Sequence, residues 1–122
     1  MQIRLDEREG SRVAVVETEE IVIRTAQDAM DLMATVSYEM DGCRKILIPK
    51  RALPEDFFDL KMGLAGEILQ KFVNYATGLA IVGDFGIYVS QPLKDFIYES
   101  NRGNSIFFVA TEQDGIDKLA QI

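Results

Sequence analysis

Two aspartates and three cations come nearest to a reactive set in this sequence: Asp59 and Asp84, with Lys50, Arg51 and Lys61. A pair of carboxylates can divide acid–base work or hold Mg²⁺, and Lys and Arg beside them would suit a small polar ligand. The stretch "GLAG" adds Gly63 and Gly66 at the head of an aliphatic run. Amides at such a helix start could receive an anion, with Lys61 adding charge. The rest of the inventory argues against catalysis. There is no histidine, which removes Ser-His-Asp triads, Cys-His dyads and His-ligated metals together. No third fixed carboxylate completes a metal set. A phosphate loop needs GxGxxG or GxxxxGK[ST], and "GLAG" is neither. We therefore expect no catalytic, cofactor-binding or metal-binding residues. A glycine inside a helix costs about 1 kcal/mol against Ala, so the expected compensation at Gly63 and Gly66 is close approach of the helix to a neighbouring backbone.

Charge and composition narrow the partners. The net charge is −7, from 20 acidic and 13 basic residues. Nucleic-acid binding draws its affinity from cations on phosphates, so nucleic acid is not an expected partner. Hydrophobic residues make up 48% of the chain, a globular proportion. The least charged stretch, "GLAIVGDFGIYVSQP", is too short to span a bilayer, and no basic region followed by an apolar one opens the chain. Cys43 is the lone cysteine and suits a reducing compartment. A cytoplasmic protein without membrane contact is the expectation.

These side chains must be positioned by an alternating fold. "MQIRL" and "RVAVVE" alternate as half-buried strands about a polar turn at Gly10, predicting a hairpin, and "IVIR" is a candidate short extension of it. "TAQD" caps a first helix through Thr25 and Asp28, with Ala29, Met30, Met33, Ala34 and Val36 as its apolar stripe and an end near Gly42. "CRKILIP" reads as a strand covered on both faces. A long helix over 60–76 follows, with Leu60, Leu64, Ala65, Ile68, Leu69, Phe72, Val73 and Ala76 facing the core and Gly78 as its terminator. "LAIVGDF" is the next strand. Ser90 caps a third helix with Pro92 in its first turn. "SIFFVA" is the last strand, and Thr111 and Asp114 launch a final helix. The whole chain, residues 1–122, is expected to be one α/β domain: an N-terminal β-hairpin, then alternating helices and strands in a mixed, mostly parallel sheet with about four helices.

In such a sheet, ligands gather beyond the carboxyl ends of the strands. That places Lys50, Arg51, Asp59, Lys61, Gly83, Asp84, Thr111 and Glu112 on the candidate surface. At the opposite end, "ESNRGN" offers a second corner of Asn101, Arg102 and Gly103. Its simplest account is a helix end with Gly103 left-handed and Asn101 and Arg102 bonding the last carbonyls.

The order of elements resembles the STAS domain of anti-sigma factor antagonists. The likeness is sharpest at "LPEDFFDLKMGLAGEILQKF" followed by "GLAIVGDF", and extends to "SIFFVATEQDGIDKLAQ". At closer range, "GLAGEILQKFVNY" and "DFIYESNRG" are similar to an uncharacterised bacterial family, domain of unknown function 4180, from about Ile21 onward. The STAS resemblance implies a regulatory module that binds another protein through the helix opening Asp59 to Gly66 and the adjoining loops Pro49 to Phe57 and Asp84 to Ser90. One departure limits it: those domains carry a phosphorylatable serine next to an Asp, and no hydroxyl lies between Leu53 and Phe72 here. The reading carried forward is a non-catalytic protein-interaction domain, with a homodimer possible. Its alternative is a small-molecule sensor using the strand-end crevice.

Overall fold

A computed structural model describes all 122 residues. Strand β1 (Gln2–Arg8) pairs antiparallel with β2 (Ser11–Glu17) across a two-residue turn. Glu9 and Gly10 both take positive φ there, 45° and 86°, the twist that matches right-handed strands. Helix α1 (Ala26–Glu39) leads to β3 (Lys45–Pro49), α2 (Leu64–Asn74) to β4 (Gly78–Val82), and α3 (Gln91–Arg102) to β5 (Ile106–Val109). Helix α4 (Glu112–Ala120) closes the chain. The sheet runs β1-β2-β3-β4-β5, antiparallel at the hairpin and parallel from β2 onward.

Sequential strand order has a consequence. Crossovers of one hand that always step in the same direction place their helices on the same face. Leu32, Met33, Ile68, Leu69, Phe72 and Leu93, from α1, α2 and α3, accordingly share one core cluster with Ile46, Ile48, Leu79 and Ile81. The opposite face holds a smaller cluster, where Ile116 and Leu119 of α4 cover Val13, Val15, Leu47, Ala80 and Phe107. Arg4 and Arg8 of the edge strand reach over α4: Arg4 Nη2 donates to both Glu112 carboxylate oxygens at 3.0 and 2.9 Å, and Arg8 Nη2 to Gln113 Oε1 at 3.1 Å. That bond to Glu112, before its charge, raises the pKa of Arg4.

The predicted caps form. Thr25 accepts from the Asp28 amide, Ser90 from Leu93 and Thr111 from Asp114, at 3.1, 3.4 and 3.1 Å. Several expectations need correction. "IVIR" is not a strand; Ile23 is fully buried, and the Val22 and Ile23 amides both donate to Ala52 O. The helix expected over 60–76 is shorter. Three single 3₁₀ turns, Lys50–Ala52, Glu55–Phe58 and Leu60–Met62, occupy the approach. Val73 is exposed and Ala76 turns to φ 50° to end the helix, so Gly78 is not its terminator. In α1 the buried stripe includes Leu32, and Ala34 is exposed.

The two glycines of "GLAG" do not bring backbones together. Gly63 is the left-handed residue (φ 78°) that turns the last 3₁₀ segment into α2, and Gly66 is exposed; a Cβ on either would meet nothing within 4 Å. The close approach lies in α4 instead. A Cβ on Gly115 would sit 2.7 Å from Leu47 Cδ1, 3.2 Å from Ala80 Cβ and 3.3 Å from Val109 Cγ2. One helix covers that face, so it must lie low on the strands.

Candidate functional site

Beyond the carboxyl ends of β3 and β4, the 3₁₀ segments meet the loop 83–90. Phe57 and Phe58 are buried, and their neighbours in sequence stay outside. Phe58 stacks on Tyr88, with ring centroids 5.2 Å apart and planes 16° apart, and lies 5.9 Å from Phe85. Phe85 in turn meets Phe108 edge-on at 5.3 Å. Such pairs stabilise beyond their buried area. An aromatic chain thus ties the loop to the turn.

Lys50 runs into this cluster. Its Nζ lies 4.7 Å from the Tyr88 ring centre and 5.3 Å from that of Phe58, and 3.8 Å from Glu55 Oε1. Tyr88 Oη donates to Glu55 Oε2 at 2.6 Å. Burial first, then that bond and the Glu55 charge, push the Tyr88 phenol well above its ordinary value of 10.0. Gly83 makes room for the lysine: a Cβ there would lie 2.7 Å from Lys50 Cβ.

The remaining candidates have local partners. Arg51 donates to Thr18 O at 3.3 Å and lies 3.7 Å from Glu19. Asp84 accepts from the Gly86 amide at 3.0 Å. Asp59 and Lys61 pair with each other at 3.9 Å, Lys61 being 85% exposed. Lys50, Arg51 and Gly83 line one crevice of about 310 Å³, while Asp84 lines another beside Phe85 and Ala110. Asp59 and Lys61 line neither. Thr111 is the α4 cap, and Glu112 is held by Arg4.

The secondary corner does end α3, the Gly103 amide donating to Ser100 O at 3.1 Å, but not in the expected way. Gly103 has φ −85°, so it is not left-handed. Asn101 turns to the outer edge of the sheet, where its amide donates to Phe108 O at 3.1 Å and its oxygen accepts from Phe108 N at 2.7 Å. The side chain thereby satisfies backbone groups that an edge strand leaves open. Arg102 pairs with Glu99 at 3.8 Å and lies over Tyr98.

A family model described as Domain of unknown function (DUF4180) matches residues 8–119. The chain belongs to that family. No curated protein matches it. In this DUF4180 domain no helix is long and apolar enough to cross a membrane.

The sequence reading named Lys50, Arg51 and Asp84 and the loops 49–57 and 84–90 around them, but gave no individual part to the aromatic residues there. Glu55, Phe58 and Tyr88 build the site, and Ile87 and Val89 stand out from it, 60% and 88% exposed. The available signal was the recurrence of aromatic residues at 57, 58, 85 and 88 in both loops. Helix periodicity does not register it, because neither segment is a regular helix.

Proposed function

We propose that this DUF4180 domain is a non-catalytic regulatory module of STAS-like architecture that acts by binding another protein at the carboxyl ends of β3 and β4. The observation that carries the reading is the loop 84–90: it projects Ile87 and Val89 into solvent while Tyr88 between them is anchored on Phe58. Ile87 and Val89, one residue apart, give the loop an apolar tip that a partner could cover, and Lys61, Asp59, Arg51 and Asp84 supply a polar rim of mixed sign. A small-molecule sensor at the same crevice has less support, because Lys50, Arg51 and Asp84 already bond within the chain. An intracellular setting suits the unpaired thiol of Cys43.

The test is co-purification from the native cells, with wild type compared against Ile87→Asp combined with Val89→Asp. A stoichiometric partner that is lost from the variant supports the reading; a partner retained equally refutes the placement. A second copy of the chain would be recognised by its own mass.

A further inference from the structure

At the amino ends of β3 and β4, opposite the surface just described, a cavity of about 310 Å³ opens between α1 and the segments entering the two strands. That is the lower end of the range for small-ligand sites. Its wall is mostly apolar. Met30 and Met33 come from α1, Cys43 precedes β3, and Tyr75 and Thr77 precede β4. Two of its polar groups are occupied, Thr77 Oγ1 donating to Tyr75 O at 3.2 Å and Cys43 Sγ to Arg12 O at 3.4 Å, and Ser37 adds a hydroxyl to the wall. Arg44 differs. Its Nη1 donates to Tyr75 O at 2.9 Å, which fixes the guanidinium at the cavity, and no carboxylate lies within ion-pair distance. Arg4, Arg8, Arg12, Arg51 and Arg102 all have one, and Arg24, the other arginine without one, does not line this cavity. In a chain of net charge −7, a tethered arginine left without an acid beside an apolar hollow is an asymmetric site: an apolar wall with one free cationic donor face.

We propose that this cavity binds a small organic acid with an aliphatic or aryl body, the body against Met30, Met33 and Tyr75 and the carboxylate on the free N–H groups of Arg44. Guanidinium and carboxylate match in geometry and charge, and methionine side chains adapt to irregular apolar ligands. The site is separate from the strand-end surface, so either reading can fail without the other.

The experiment titrates octanoate into the full chain carrying ¹³C-methyl methionine. Saturable shifts of the Met30 and Met33 methyls are expected, with those of Met1 and Met62 unmoved. Bound octanoate should also slow reaction of the Cys43 thiol with a disulfide reagent. Arg44→Gln should weaken octanoate binding about tenfold or more, a charge-assisted hydrogen bond being of that order, and octanol should bind wild type and variant alike. Three results would overturn the proposal: no saturable shift at Met30 and Met33, equal shifts at Met62, or an Arg44→Gln variant that binds octanoate as wild type does. Arg44 is exposed, and the variant's fold is checked by an unchanged midpoint of urea unfolding.

Discussion

At the carboxyl ends of β3 and β4 the polar side chains bond to one another, Lys50 with Glu55, Tyr88 with Glu55 and Asp84 with Gly86 N–H, and the apolar side chains Ile87 and Val89 point outward. At the amino ends of the same strands the arrangement is reversed: the apolar side chains line a hollow, and Arg44 stands at it without an acid. A convex apolar loop with a satisfied polar rim offers area to a macromolecule and few directional bonds to a small one. A concave, mostly apolar wall with a free guanidinium face offers the opposite. The same pair of strands therefore presents two surfaces of different chemistry.

The comparison can be broken most forcibly at Phe58, on which the outer loop rests. Phe58→Ala should lower stability by about 3–5 kcal/mol in urea unfolding, and hydrogen exchange should rise across 84–90. Loss of stability with the loop still protected would mean that the aromatic cluster is not its anchor. A smaller contrast sets the two cations against each other. Lys50→Ala should cost about 1 kcal/mol, since its charge lies over two rings and its stem packs against Gly83. Arg44→Gln should stay within about 0.5 kcal/mol of wild type. Equal costs would erase the distinction between a cation bound internally and one held ready for a ligand.

The glycines sharpen the account further, because they show which part of the fold was legible. Capping residues and the hairpin turn could be read from Thr25, Ser90, Thr111 and Gly10, since each acts within a few residues of itself. The role of Gly63 and Gly66 could not. Whether a glycine meets another backbone depends on which face of the sheet its helix covers, and sequence periodicity does not report that. Gly115, unremarked in the pattern, is the residue packed on Leu47 and Ala80. Likewise, Asn101 reads as a helix-end residue until the edge strand beside it is placed. Gly66→Ala should therefore raise stability by roughly 0.5–1 kcal/mol, whereas Gly115→Val should lower it by about 1–3 kcal/mol through overpacking. Destabilisation by Gly66→Ala would restore the close-approach role to α2.

The smallest expected effect is a pH dependence. Folding raises the Tyr88 phenol above its ordinary value of 10.0, so the unfolded chain releases this proton first as pH rises. Its contribution is complete below about pH 9 and is lost as pH climbs through 10 toward the folded value. Stability measured from pH 8 to 11 should fall less steeply in Tyr88→Phe than in wild type; identical slopes would mean that burial and the Glu55 bond do not hold the proton on the phenol.

The central claim is that the loop carrying Ile87 and Val89 makes the protein contact. Once a native partner is isolated, calorimetric titration against wild type and against Ile87→Asp with Val89→Asp tests it directly. The account predicts an affinity at least about thirtyfold weaker for the double variant, a loss of the size expected at interface hot spots, with the midpoint of urea unfolding unchanged. Undiminished affinity in a folded double variant would contradict it.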